Sequence, residues 1–286
     1  MPELPEVETI RRGLNRFIIH EKIIKIEVLC EKSFIGETTT GEVKAIRRFG
    51  KALIIDLDNH KSLMIHLRMT GQLIYDDSKK ANQRFAAGHP SDNFIDLLPN
   101  KQTRVIIHFE NGTLFFNDQR KFGFIKVIDT SEVENDSFIK KLAKEPWEMT
   151  PSEFYEKIQK HKNSPIKAVI LDQTVICGLG NIYADESLFM SNIHPARKAG
   201  TLTKREATVL LRMADKAMNL SIASGGSTMK DYVKADGTKG DYLDKFAQIF
   251  NRTGKPCLIC GTTVEKIKVA GRGTHICPHC QRINHD

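Results

Sequence analysis

Met1-Pro-Glu-Leu-Pro-Glu-Val-Glu8 opens the chain, and the segment it leads into sets the reading of everything after it. Val7, Ile10 and Leu14 recur at helical spacing, so a short amphipathic helix is expected to start near Pro5. A proline at the start and acidic residues in the first turn suit the helix dipole. Beyond it the apolar period shortens. Segments 23–29, 43–49, 52–57, 62–67, 105–109, 113–117 and 123–128 are short and β-rich, with Asp-Asn and Asn-Gly turns between them. Strands with few helices among them predict a sandwich or flattened barrel. The helix must dock its apolar face on that core, which would fix Pro2, Glu3 and Glu6 in space.

Those three residues also carry possible chemistry. A small second residue permits removal of Met1, leaving Pro2 with a secondary α-amine. Such an amine has a pKa near 8 against roughly 10.4 for lysine, so on the order of a tenth of it is a free nucleophile at neutral pH. It can attack a sugar or aldehyde carbon to give a Schiff base, while a carboxyl such as Glu3 or Glu6 moves the protons. Read alone, the eight residues favour a plain helix start. The rest of the chain has to decide.

The chain has 286 residues, room for two modest domains, with 40% apolar and 27% charged residues, as in an ordinary globular protein. There is no long apolar run and no basic-then-apolar leader, so neither a membrane span nor a secretory signal is expected, and the reading is cytoplasmic. A net charge of +8 favours a polyanionic partner. Residues 245–286 hold seven Lys or Arg against Glu265 and Asp286, so the basic excess concentrates there. Cys30 and Cys177 read as buried thiols.

Residues 75–103 are polar, contain Gly88, Pro90 and Pro99, and read as a long mobile loop. Residues 130–163 read as a charged, helical connection. Ser164-Pro165 suits an N-cap and first helical position for a helix that stops at Cys177-Gly178. A second helix runs from Asn181 towards Ser191, and Thr203 with Glu206 makes a capping box for a third. Residues 224–245 read as a flexible loop.

Cys257-x2-Cys260-x16-Cys277-x2-Cys280 is the strongest motif. Its two knuckles can wrap four thiolates around one structural Zn²⁺; an iron–sulfur site or two disulfides are the alternatives. Lys266, Lys268, Arg272 and Gly273 lie between the knuckles, as in a hairpin whose tip approaches phosphate. Gly178-Leu-Gly-Asn181 can offer N–H groups to an anion, although such glycine pairs are more often only tight turns. Asp118-Gln-Arg-Lys-Phe-Gly123 places Arg120 beside Phe122, either as a wedge for a duplex or as a basic turn with Phe122 packed inward. Lys51 and His66, at strand ends, could reach phosphates but read first as surface polar residues.

With these pieces together, the chain resembles bacterial formamidopyrimidine-DNA glycosylases over nearly its whole length. The resemblance rests on Pro2 to Glu8, Arg48-Phe-Gly-Lys51, His66-Leu-Arg-Met69-Thr-Gly71, Arg120-Lys-Phe122-Gly123, Leu171-Asp-Gln-Thr174, Gly178-Leu-Gly-Asn181-Ile-Tyr-Ala-Asp185 and the four-cysteine finger. It implies an α+β protein. An N-terminal β-sandwich with a leading helix would occupy 1–130 and a linker 131–150. A helix–two-turn–helix domain would occupy 151–224, a lesion-recognition loop 225–245 and the zinc finger 246–286, with DNA in the cleft between the halves. It further implies that Pro2 attacks C1′ of a damaged nucleotide, with Glu3 as general acid/base, Glu6 in support and Lys51 on phosphate. Met69, Arg120 and Phe122 would fill the gap left by the flipped nucleotide, Arg120 facing the orphaned cytosine. Asn181 and Arg272 would bind phosphate, Lys167 would lie near the damaged base, and Lys230 would belong to the loop over it.

The expected activity is a monomeric base-excision glycosylase and AP lyase on duplex DNA containing oxidised purines or abasic sites. The rivals are an endonuclease VIII-like enzyme for oxidised pyrimidines and a non-catalytic zinc-dependent DNA-binding protein. The sequence departs from the family at Asn100-Lys-Gln-Thr-Arg-Val105, where a histidine-containing segment is usual, and at Ile249-Phe-Asn-Arg252 before the finger.

Overall fold

The computed structural model describes residues 2–78, 84–88, 97–227 and 241–283. By compactness the chain divides into Met1–Lys140 with Ser224–Asp241, and Lys141–Ala223 with Tyr242–Asp286.

In the first unit, helix α1 (Leu4–Ile18) begins one residue before the expected Pro5, with Glu3 as its N-cap. Val7, Ile10, Leu14 and Ile18 are buried, as their spacing requires. The helix packs closely on the sheet: a Cβ on Gly13 would fall 2.1 Å from the Phe85 ring, so only glycine fits there. Among the described residues ten strands follow, β1 (Lys22–Val28), β2 (Phe34–Ile35), β3 (Gly41–Phe49), β4 (Ala52–Leu57), β5 (Lys61–His66), β6 (Gly71–Asp77), β7 (Arg84–Gly88), β8 (Thr103–Phe109), β9 (Gly112–Asp118) and β10 (Phe124–Asp129). They hydrogen-bond in the order β2-β10-β5-β4-β3-β1-β8-β9-β6-β7. The join between β3 and β1 is thin, Lys22 opposite Glu42 and Ile23 opposite Gly41. Val43, Leu53, Ile55, Leu63, Ile65 and Ile125 from one half meet Ile23, Val105, Ile107, Leu114, Phe116 and Leu73 from the other in one core, with α1 against it. Burying aliphatic side chains like these contributes roughly 1.5–3 kcal/mol each before chain entropy is counted.

Within segment 75–103 the described residues correct the expected long loop in part, while 79–83 and 89–96 lie outside the described residues. Tyr75 lies inside β6, and β7 pairs with β6 from Gln72 opposite Gly88 to Asp76 opposite Arg84. A short strand in polar sequence gains order from its ladder and from Phe85, which is buried. Cys30 is only half-buried, whereas Cys177 is buried as expected.

The second unit holds α2 (Pro151–Gln159), α3 (Ile166–Leu171), α4 (Asn181–Met190), α5 (Lys204–Ala223) and a single turn α6 (Tyr242–Lys245). The Thr203 and Glu206 capping box is present: Glu206 N–H donates to Thr203 Oγ1 (3.2 Å) and Thr203 N–H to Glu206 Oε2 (2.7 Å). Two expectations fail. Pro165, not Ser164, caps α3, because it forms a bridge with Lys198. The helix also ends at Leu171, six residues before Cys177, where Asp172 turns the chain and accepts Thr174 N–H (2.9 Å). Residues 130–163, expected as a charged helical connection, contain short 3-10 turns and α2. Strands β11 (Glu265–Val269) and β12 (Arg272–Ile276) form the finger hairpin. No described helix is long and apolar enough to cross a membrane.

Candidate active site and metal centre

Strand register brings the chemistry-bearing turns of the first unit together. Ala52 lies opposite His66, His66 opposite Phe124, and Gly71 opposite Asp118. The β3–β4, β5–β6 and β9–β10 turns therefore adjoin at one end of their strands. Glu8 ties α1 to this end: its carboxylate accepts from Arg11, Arg12 and Arg48, and Arg48 also donates to the Gly50 carbonyl (3.0 Å) beside Lys51. Burial opposes ionisation of Glu8, but the guanidinium groups of Arg11, Arg12 and Arg48 outweigh it and hold the carboxyl down at about 2.

At the helix start Pro2, Glu3 and Glu6 are all buried. Glu3 N–H donates to Glu6 Oε2 (2.8 Å), and Glu6 Oε1 accepts both the N–H (2.8 Å) and the hydroxyl (2.7 Å) of Ser227. Lys51 and His66 are buried too, 8% and 6% exposed, so neither is the surface polar residue that its strand-end position suggests. His66 stacks on Phe124 and meets Phe138 edge-on, and its Nδ1 accepts the Arg68 N–H (3.0 Å). Burial, then the charges of Arg68 and Lys51, push its pKa down to about 3. His66 is thus a neutral ring with Nε2–H as its donor.

The turn carrying Arg120 and Phe122 is built by Asp118, which is fully buried. Its Oδ1 accepts Arg120 N–H (3.1 Å) and the Thr70 hydroxyl, and its Oδ2 accepts Phe122 N–H (2.8 Å) and Gly123 N–H (2.7 Å). One carboxylate therefore ties the Met69 turn to the Arg120 turn. Phe122 is exposed, not packed inward, with the Arg120 guanidinium 4.9 Å from its ring centre. An apolar ring held in water beside a cation suits insertion into a base stack.

In the second unit α4 carries two adjacent buried carboxylates. Asp185 Oδ1 accepts Lys167 Nζ (2.6 Å), and its Oδ2 accepts His275 N–H (2.9 Å) and lies 3.1 Å from His275 Nδ1. Glu186 accepts the backbone N–H groups of Gln248 (2.8 Å), Ile249 (2.9 Å) and Phe250 (2.7 Å). Burial pushes the Glu186 carboxyl up against the pull of those donors. Asn181 Nδ2 donates to the Gly273 carbonyl (3.0 Å), next to exposed Arg272 at the hairpin tip. Lys167 is fully buried and also reaches Thr274 Oγ1 (2.8 Å) and the Gly273 carbonyl (3.2 Å), so it sits under the hairpin and not on a surface open to a base.

Cys257, Cys260, Cys277 and Cys280 place their Sγ atoms within 4.8 Å of one another, none joined in a disulfide. The separations of 3.4 Å (Cys260–Cys277), 3.5 Å (Cys260–Cys280) and 3.9 Å (Cys257–Cys280) bracket the tetrahedral edge of about 3.8 Å set by Zn–S bonds of about 2.3 Å. Backbone N–H groups of Ile259 and Cys280 point at Cys257 and Cys277 sulfur (3.4 and 3.5 Å), which suits thiolates. The four cysteines fit one structural zinc ion with no ligand position left open.

Three family profiles cover most of the chain: the formamidopyrimidine-DNA glycosylase N-terminal domain over 1–125, the H2TH domain of the same glycosylases over 142–233, and the zinc finger found in FPG and IleRS over 254–283. The chain belongs to the formamidopyrimidine-DNA glycosylase family. A Listeria innocua member is 37% identical over 99% of this chain and 100% of its own, and a Pelotomaculum thermopropionicum member 39% identical with the same coverage. Among solved structures, a Lactococcus lactis glycosylase mutant bound to Fapy-dG-containing DNA matches with a TM-score of 0.85 at 34% identity, covering 98% of this chain and 100% of that one. Another Lactococcus lactis structure, bound to abasic-site DNA, matches with a TM-score of 0.83 at 33% identity and the same coverage.

Within the glycosylase frame, sequence reasoning gave no role to Glu8, Arg48, Thr70, Asp118, Asp185 or Ser227, although the first five stand in the motifs it singled out. Asp118 had a signal, an Asp directly before a basic turn ending in glycine. Glu8 had its helical spacing to Arg11 and Arg12 but no sign of Arg48, and the partners of Asp185 are distant in sequence. Lys230 lies outside the described residues.

Proposed function

We propose that the chain removes oxidised purines, 8-oxoguanine and formamidopyrimidines, from double-stranded DNA and then cleaves the strand at the abasic site. The observation that carries this reading is the buried helix start, where Pro2 adjoins Glu3 and Glu6 in a chain whose solved relatives are described with Fapy-dG or abasic-site DNA. A non-catalytic DNA-binding protein would need no amine there.

Once processing exposes Pro2, its nitrogen lone pair attacks C1′ as the C1′–N bond to the base breaks and the base leaves with a proton. Glu3 protonates the sugar ring oxygen, the ring opens, and an iminium remains. The iminium acidifies the C2′ protons, so loss of one expels the 3′ phosphate and a second elimination expels the 5′ phosphate. The attack needs an extruded nucleotide, and unstacking costs roughly a few kcal/mol. Met69, Arg120 and Phe122 offset it by filling the gap, with Arg120 addressing the orphaned base. Lys51 and neutral His66 donate to phosphates beside the lesion; Asn181 and Arg272 hold phosphates from the second unit. Zinc supplies no chemistry to the reaction and shapes the hairpin that carries Arg272. Working on the chromosome, the protein would act as a monomer in the cytoplasm.

The test is borohydride trapping on duplex containing 8-oxoguanine opposite cytosine, with the adduct mapped by mass spectrometry. A covalent bond to Pro2 is expected, and a processed chain that forms none defeats the proposal. One Lactococcus lactis relative is described in complex with DNA containing an oxidised pyrimidine. A parallel duplex with an oxidised pyrimidine therefore tests the endonuclease VIII-like alternative, which requires faster trapping there than on 8-oxoguanine.

A further inference from the structure

We infer that Ser227 is a positioning residue for the Pro2 amine, acting through the Glu6 carboxylate, so that the nucleophile's alignment depends on the Gly225–Gly226 turn that presents Ser227. The inference rests on the reading of Pro2 as nucleophile.

After α5 ends at Ala223, Gly225 (φ 81°) and Gly226 (φ 95°) both adopt left-handed backbone. Consecutive residues there are accessible without strain only to glycine. The limit at Gly226 is the backbone and not space, since an added Cβ would meet its nearest atom, on Glu6, at 3.6 Å. This double turn delivers Ser227 to a carboxylate 221 positions earlier in the chain, where its N–H and its hydroxyl both donate to Glu6 Oε1. Both residues are nearly excluded from water, Ser227 at 7% and Glu6 at 3% exposure.

The other oxygen of the same carboxylate accepts the Glu3 N–H, which is the amide of the Pro2–Glu3 peptide bond. A carboxylate is planar and rigid, so a bond that fixes Oε1 also fixes the direction of Oε2. Two donors, the Ser227 N–H and hydroxyl, converge on Oε1. Without the Ser227 hydroxyl, Oε1 keeps the Ser227 N–H but loses one of its two donors, and the peptide whose carbonyl carbon lies two bonds from the reacting nitrogen is referenced less firmly. A displacement of about 1 Å at a reacting group can cost on the order of a hundredfold in rate.

Two substrates separate this role from simple anchoring of a loop. Excision of 8-oxoguanine needs both base recognition and the amine; a preformed abasic site has no base to recognise and needs only the amine. Ser227→Ala should slow borohydride trapping at Pro2 on both duplexes by at least roughly tenfold, while DNA affinity stays within about twofold. Ser227→Thr, which has the hydroxyl that alanine lacks, should return trapping to within about threefold of the parent. Each variant is assayed well below its own melting temperature. The inference is overturned if Ser227→Ala traps the abasic site at the parental rate, whether or not excision of 8-oxoguanine falls, or if Ser227→Thr fails to rescue. If the unaltered chain traps neither duplex, it is the proposed function that fails.

Discussion

Single side chains at the active end are held by charge and burial more than by position in sequence. Glu8 is the clearest case, three arginines converging on one buried carboxylate. Its folded pKa of about 2 lies below the ordinary 4.5, so the native state binds fewer protons in that window. The stabilisation is therefore complete above about pH 4.5 and is lost as pH falls towards 2. Glu8→Gln should lower stability at pH 7 by about 1–2 kcal/mol after solvent screening, and the gap from the parent should close on acidification towards pH 2. Thermal melts across pH measure this directly; a gap that stays constant with pH would mean that packing, not charge, is what Glu8 supplies. His66 shows the opposite side of burial. Burial, with the charges of Arg68 and Lys51, holds its pKa down at about 3, so in the free protein it is a neutral donor at neutral pH.

Elements were legible in the sequence where local pattern and tertiary demand agreed. The opening helix, the strands with alternating apolar residues and the Thr203 capping box are of that kind. β7 was not, because its order comes from β6 and from Phe85 under α1 rather than from its own composition. The cap of α3 was misread for a similar reason: bridging to Lys198 sets Pro165 in extended backbone. Among site residues, types and motifs were visible but burial was not, so Lys51 and His66 looked like surface groups and Lys167 like a contact to the damaged base. The structure makes Lys167 the underside of the β11–β12 hairpin. Lys167→Ala strips a partner from the buried Asp185 and should cost about 3–5 kcal/mol of stability in its unit. Below the melting temperature it should weaken binding to undamaged and damaged duplex by the same factor. A loss confined to the damaged duplex, read by titration at fixed salt, would instead put Lys167 at the lesion.

At the scale of the molecule, the two units have separate cores, and the proposed chemistry falls in the sheet unit while the phosphate contacts proposed for Asn181 and Arg272 fall in the helical unit and its finger. The finger has little apolar core of its own: Cys257 and Cys277 pack with Val264, Ile249 and Phe189, the last of these on α4. Its order thus depends on metal as well as on the helix. Chelation, or Cys277→Ser, should abolish duplex binding while the sheet keeps its near-ultraviolet spectrum and its own melting transition. If binding survives, Arg272 and the hairpin are not the phosphate clamp.

The neighbouring acids Asp185 and Glu186 have one further consequence. Successive residues on a helix point about 100° apart, so these two reach adjoining flanks, Asp185 towards the hairpin and Glu186 towards the strap at Gln248–Phe250, whose Phe250 ring meets His275 of the hairpin edge-on (4.8 Å between ring centres). That makes α4 a ruler with two marks. Lengthening the connections on either side should be tolerated, since both lie outside the marks, but a single inserted residue between Asp185 and Glu186 would rotate one mark off its partner. For protein engineers the transplantable module is accordingly the finger together with α4 and Lys167, moved as one piece, and not the run of cysteines by itself.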